Sequence, residues 1–337
     1  MKLIRTELRR LRWRGINLVA LLALLGVVLL MTFNSYQSSK PPSEQMLVEA
    51  EEELQWYLAL WEENHERDYQ ECLTGEHEEQ EAWIASGESG SLGSWGCEGL
   101  LEEPTANMFL PYWQESFTNY LDNTFGGLII IVLAIALFLG ASFNAGEINS
   151  GSMGTWLTFE PRRTQVYYSK SAALFIWGVV VGLATLSLGL LLAWLVYSLN
   201  GMGELTSKQW TDALLTVARC VPLFGIAAAV GGSLGIILRH TAAAAVVVFA
   251  WAAVVEPIIR YGSWRQLTPW LITPNVQGWI EAGTEYWYSS CSGGGVNYLC
   301  ETVHLSHGGL RSFIYVMIAA ALVSTIGNLI FRRRDIN

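Results

Sequence analysis

Gly126-Gly-Leu-Ile-Ile-Ile-Val-Leu-Ala-Ile-Ala-Leu-Phe-Leu-Gly-Ala-Ser-Phe143 is a stretch without a single charged side chain. An apolar α-helix of this length, about 18 residues, can cross about 30 Å of hydrocarbon. Five other stretches are at least as long and predominantly apolar, so the sequence predicts an all-α polytopic membrane protein with six transmembrane helices. The predicted spans are residues 16–34, 126–144, 171–199, 213–238, 241–259 and 312–331.

The charges divide between alternate loops. Lys and Arg concentrate in residues 1–15, in 145–170 and in the tail 332–337, whereas about 20 of the 30 Asp and Glu residues lie in 35–125. The positive-inside rule then places both termini in the cytoplasm, and an even number of spans agrees with this. We expect a multi-pass protein of a bacterial plasma membrane. The acidic loop is either a solvated surface or a surface that attracts cationic substrates toward the membrane protein.

Residues 1–15 form a predicted amphipathic helix at the inner membrane interface. Ile4, Leu8 and Leu11 recur at helical spacing, and arginines occupy the other faces. Such a helix is expected to place its apolar face in lipid and its arginines at the headgroups, with Trp13 as an anchor. The alternative is a solvated basic tail.

Residues 35–125 predict a small, mainly helical ectodomain. Pro41 and Pro42 break the chain, and Ser43 is a suitable N-cap for a helix running to about Glu71. The apolar stripe on this helix is either the core of the ectodomain or a surface for an extracellular partner. Residues 260–311 are rich in aromatic side chains and glycine, which indicates an extracellular or re-entrant loop.

Four cysteines fall in the outer loops, where an oxidising environment favours disulfides. The expected pairs are Cys72–Cys97 and Cys291–Cys300, although the sequence leaves cross-loop pairing open. Cys291, Cys300, His304 and His307 also suggest zinc ligands, but their spacing matches no common zinc finger. We therefore expect no metal site.

The sharpest functional feature is the segment 145–170 between the second and third spans. A helix-length stretch there carries large apolar residues, and Pro161 ends it before a pair of arginines. A cytoplasmic loop has no lipid to cover Trp156 or Phe159. These side chains are expected to dock into a groove on another protein, or to pack on the inner ends of this chain's own spans.

This segment resembles the coupling-helix region of type-2 (type V) ABC exporter permeases. In that family a Glu after the second span is followed by Gly with Ser or Thr, an apolar helix, Pro, one or two Arg, and a Lys that opens the third span. The corresponding residues here are Glu147, Gly151, Ser152, Pro161, Arg162, Arg163 and Lys170. The junction of spans four and five and the basic end of the chain also agree, but the ectodomain is larger than in many members.

The resemblance implies a six-span half-transporter. A second permease chain, identical or a close paralogue, would complete the translocation path, and two cytoplasmic ABC ATPase subunits would bind ATP and Mg²⁺. This chain itself has no phosphate-loop sequence, no catalytic constellation and no nucleic-acid footprint. An apolar path suits drugs, peptides or lipids. The residues expected to couple to the ATPase are Glu147, Gly151, Met153, Trp156, Leu157, Phe159, Pro161, Arg162 and Arg163.

Arg219 and Glu256 are charged residues within predicted spans. A charge in a span usually faces protein or water and has a partner, so the two are expected to pair as a lock or outer gate. The alternative is that both snorkel to the interface. Gly178-x-x-x-Gly182 and Gly231-x-x-x-Gly235 are expected to bring helices close together.

Two other functional classes fit the sequence less well. A secondary transporter or channel would need ionisable residues in its spans for coupling, and few are present. A membrane sensor would use the ectodomain to bind a ligand, but six spans exceed what a sensor needs.

Overall fold

The computed structural model describes residues 2–85, 94–110, 114–262, 264–292 and 299–333. Within these residues, six helices are long and apolar enough to cross a membrane, which confirms the six predicted spans. They are α2 (Gly15–Ser38), α4 (Phe117–Asn149), α6 (Arg163–Leu199), α7 (Ser207–Leu238), α8 (Thr241–Tyr261) and α10 (Gly309–Arg333). The other helices discussed below are α1 (Lys2–Arg12), α3 (Glu44–Ala85), α5 (Ser152–Phe159) and α9 (Ile272–Ile280).

The chain divides into two compact units. The first holds residues 1–39, 116–286 and 305–337, and therefore all six spans; the second holds 40–115 and 287–304. Glycines set the packing of the first unit. A Cβ atom on Gly231 of α7 would lie 1.9 Å from the Leu137 carbonyl oxygen of α4, and one on Gly178 of α6 would lie 2.6 Å from that of Phe224. The small residues thus permit backbone contact, as their spacing predicts.

The apolar face of α1 packs against the spans, so the prediction that it enters lipid is wrong. Leu11 is fully buried beside Phe143 and Leu174, and Ile4 and Leu8 pack on the same cluster. The hydrophobic periodicity of a helix does not distinguish an apolar protein surface from lipid. Trp13, in contrast, is 77% exposed, as expected of an interfacial anchor.

α8 continues through its proline. A π-turn over Trp251–Val255 precedes Glu256–Tyr261, with Pro257 in the first turn of the latter segment. A wider turn tolerates a residue that has no N–H to donate to the preceding turn.

The second unit is built on α3, a helix of 42 residues. The Ser43 hydroxyl accepts a hydrogen bond from the Met46 N–H at 3.3 Å, as the N-cap prediction requires. The helix extends well beyond the expected end near Glu71, and the predicted Cys72–Cys97 disulfide is present. This disulfide attaches the segment after residue 93 to the helix.

Residues 264–308 contain structure that an all-α class does not include. A 3-10 turn over Arg265–Trp270 precedes α9, and strands β1 (Gly283–Ser292) and β2 (Leu299–Gly308) form a two-stranded sheet. Threonines and aromatic residues favour strands, so the composition interpreted above as an extracellular or re-entrant loop also fits the observed strands. The side chains of Cys291 and Cys300, and hence their predicted disulfide, lie outside the described part of the chain.

Candidate functional site

A buried group of charged side chains joins three segments that are distant in sequence. The Lys170 Nζ atom, at the start of α6, lies 2.5 Å from a Glu147 carboxylate oxygen on α4 and 3.0 Å from one of Glu7 on α1. Lys170 and Glu7 are completely buried, and Glu147 is almost so. Lys170 therefore connects the N-terminal helix to two spans.

Arg10 completes this group, which we call the ion cluster: Glu7, Arg10, Glu147 and Lys170. Its guanidinium lies 3.0 Å from Glu147 and 3.4 Å from Glu7. The two carboxylates and two cations balance, and each carboxylate contacts both cations. Removing charges from water is costly, and such a balance offsets that cost only when the geometry is good.

Arg14 extends the contacts of α1 toward α4. Its guanidinium donates a hydrogen bond to the Phe143 carbonyl oxygen at 2.8 Å and lies 4.9 Å from the centre of the Phe143 ring. Burial lowers the pKa of Arg14, and the charge of Glu147 opposes this shift. The side chain stays protonated at any physiological pH because the ordinary pKa of arginine is so high.

Helix α5 begins immediately after the end of α4. Gly151 precedes it with φ of +70°, a left-handed conformation that favours glycine. Met153 is fully buried, and Trp156 and Leu157 pack partly buried on the same cluster as Met153. The Arg10 guanidinium lies 5.3 Å from the centre of the Trp156 ring, which links α5 to the ion cluster.

The outer side of α5 is different. Phe159 is 80% exposed, and Glu160 forms a 2.8 Å ion pair with Arg162 that lowers the pKa of the Glu160 carboxyl. Pro161 follows the helix, and Arg163 donates to the Phe331 carbonyl oxygen at 3.4 Å. The structure thus divides the predicted coupling residues: Trp156 and Leu157 pack on their own chain, whereas Phe159 is exposed.

Arg219 and Glu256 do not form the predicted pair. The Glu256 carboxylate accepts hydrogen bonds from the Ile272 N–H at 2.9 Å and the Thr273 N–H at 3.2 Å, both in the first turn of α9. The Arg219 guanidinium donates to the Ile280 carbonyl oxygen, at the last residue of α9, at 2.8 Å. Each charge therefore caps the end of the helix whose dipole it complements.

Glu256 is buried and also accepts a hydrogen bond from Trp251 Nε1 at 2.8 Å. Because its carboxylate accepts hydrogen bonds from these three N–H groups, Glu256 has the contacts of a structural helix cap. The alternative prediction of snorkelling is also wrong for this residue, because its charge is held by backbone N–H groups.

Glu7 is the cluster residue that sequence analysis did not identify. It is the single acidic residue among the first 43, and six Lys and Arg residues accompany it within the first 14 positions. In a helix it shares a face with Leu11 and Arg14, at i+4 and i+7, so it lies next to the apolar stripe. A lone carboxylate in such a position is a usable indication of a buried ion pair.

No protein-family model, curated protein or solved structure matches this chain. The geometry itself joins α1, α4, α5 and α6 through charged and aromatic contacts at one end of the bundle.

Proposed function

We propose that this chain is the membrane-spanning permease subunit of an ATP-driven ABC exporter, working as a dimer with two separate ATPase subunits. The proposal places both termini, α1 and α5 in the cytoplasm. ATP and Mg²⁺ bind to the partner ATPases. Support comes from the six spans, from the resemblance of residues 147–170 to coupling segments, and from the construction of α5.

The observation that carries the proposal is the two-sided packing of α5. Met153 anchors one side on the bundle, whereas Phe159 is exposed on the other, outside any span. An exposed aromatic side chain next to a fixed helix suits insertion into a groove of a soluble partner. Trp156 and Leu157 then hold the helix in place and do not themselves bind the ATPase.

The ion cluster connects this helix to the transmembrane helices α4 and α6. When ATP closes the partner ATPases, α5 moves as a rigid body, and the contacts of Glu147 and Lys170 pull the ends of α4 and α6 with it. Packed helices switch between discrete arrangements and do not deform continuously. A shift of α4 and α6 would therefore open the path between the two permease chains.

The cargo proposed is amphipathic or hydrophobic. A groove of about 320 Å³ between α4, α7 and α10 is lined almost wholly by aliphatic side chains, with Tyr315 as its polar member. Such a lining favours apolar groups and offers few polar contacts for orientation. In a dimer, this groove is the candidate wall of the translocation path.

The test is purification of the tagged chain from its native host in mild detergent, followed by mass spectrometry. A stoichiometric soluble protein with a phosphate-loop sequence is expected to accompany it. Phe159→Ala is expected to lose that protein, whereas Phe249→Ala, a matched control at 72% exposure on α8, is expected to retain it. Recovery of the chain without an ATPase, or equal retention by both variants, would refute the proposal.

A further inference from the structure

α1 carries a second basic surface that the ion cluster does not use. With 100° per residue, Arg5, Arg9 and Arg12 fall within an arc of about 60°, on the side of the helix opposite Glu7 and Arg10. All three residues are exposed. No ion pair to an acidic residue in the described ranges involves them.

These arginines line one wall of a cavity between α1 and α6. The cavity measures about 530 Å³, and Trp177 of α6 forms its opposite wall. Leu8 and Trp13 complete the lining, so three positive charges stand beside apolar and aromatic surface. Glu7 of α1 and Glu147 of α4 are bound to Lys170 and Arg10, away from this basic surface.

We propose that this cavity binds one anionic phospholipid, with the headgroup phosphate held by Arg5, Arg9 and Arg12. Charge complementarity requires an anion, and three guanidinium groups offer many donors to phosphate oxygens. Trp13, exposed beside them, is a residue type enriched at the membrane–water interface.

The lipid-facing side of α6 decides between a lipid and a soluble anion. Ile176, next to Trp177, is exposed, and so are Val180 and Leu183, which lie four and seven residues further along the span. They form a continuous apolar strip that leads from the cavity into the hydrocarbon region. Acyl chains lie on this strip when the phosphate occupies the cavity, a placement that a nucleotide or free phosphate cannot use. The site does not depend on the chain being an exporter.

The experiment is native mass spectrometry of the full-length chain in detergent, titrated with dioleoyl-phosphatidylglycerol or dioleoyl-phosphatidylcholine. Each arginine near an anionic lipid contributes about fivefold in affinity, so three give roughly 100-fold. We expect the wild type to retain one phosphatidylglycerol in preference to phosphatidylcholine. Arg5→Gln/Arg9→Gln/Arg12→Gln is expected to abolish that preference.

Two controls keep the result specific. Arg332→Gln/Arg333→Gln/Arg334→Gln removes the same charge from the C-terminal tail and is expected to leave the preference unchanged. Arg5→Lys/Arg9→Lys/Arg12→Lys keeps the charge and is expected to retain most of it. Equal binding of both lipids by the wild type, or an equal loss in the tail variant, would overturn the proposal. Competition by glycerol phosphate as strong as by the intact lipid would identify a soluble-anion site and overturn it as well.

Discussion

Replacing Lys170 by methionine is the most direct test of the ion cluster. The change keeps the volume of the side chain and removes one charge from a site that is completely buried. Glu7 and Glu147 then share a single cation, Arg10, whose guanidinium lies 3.4 Å and 3.0 Å from them. One buried carboxylate is left without compensation.

The magnitude follows from that imbalance. Removing one partner of a buried ion pair costs about 3–5 kcal/mol, chiefly because the remaining charge stays desolvated. For a chain of this size each kcal/mol lowers the unfolding midpoint by about 2 °C, so Lys170→Met should lower it by about 6–10 °C. Glu7→Gln/Lys170→Met restores neutrality, with Glu147 facing Arg10, and should recover more than half of the loss.

The assay is thermal unfolding of purified protein in one detergent and at one scan rate. It compares the wild type with Lys170→Met, Glu7→Gln and the double variant Glu7→Gln/Lys170→Met. Arg162→Gln, which breaks the exposed pair with Glu160, serves as a control and should leave the midpoint unchanged. A Lys170→Met variant as stable as the wild type, or a double variant no better than Lys170→Met, would show that the buried charges are not coupled as the distances imply.

Three further predictions concern other parts of the fold. Glu256→Gln and Arg219→Gln should each destabilise by about 1 kcal/mol, because each removes a charge from one end of α9. Their double variant should be additive in thermal unfolding, whereas a direct ion pair would make it non-additive. Gly231→Ala should destabilise by about 1–3 kcal/mol and reduce the yield of folded protein, because its Cβ would lie 1.9 Å from a carbonyl oxygen, whereas Gly26→Ala, with open space around it, should not. Burial lowers the pKa of His307, so the folded state favours its neutral form, and stability should fall as pH drops through about 6.5, where the unfolded chain protonates. Unfolding midpoints of the wild type and His307→Gln between pH 8 and pH 5 would check this; identical pH profiles would contradict it.

The spans could be predicted from the sequence because the membrane imposes one length and one composition on every crossing helix. The partners of the charged side chains could not be predicted from the sequence. Arg219 and Glu256 are both present in their spans as expected, but nothing in the sequence shows that a nine-residue helix separates them. Backbone N–H groups are available at the start of every helix, so the amino-acid composition does not show which of them binds a carboxylate.

The position of α5 was predictable from the sequence, but its orientation was predictable only in part. Its glycine, apolar residues and proline bound the observed helix closely. Which apolar residues face inward depends on Val166, Ile236 and Phe331, which come from three different spans. Such long-range packing appears only when the spans are assembled.

The two charged caps make α9 a spacer of fixed length between two spans. Arg219 belongs to α7 and Glu256 to α8, and the seven residue steps from Thr273 to Ile280 separate the anchored ends by about 10 Å. Unlike a direct ion pair, whose partners can slide, a hydrogen-bonded helix cannot stretch or shorten by a fraction of a residue. One inserted residue would lengthen it by about 1.5 Å and rotate its far end by about 100°. The number of residues in α9 therefore fixes the distance between the Glu256 contact at its start and the Arg219 contact at its end.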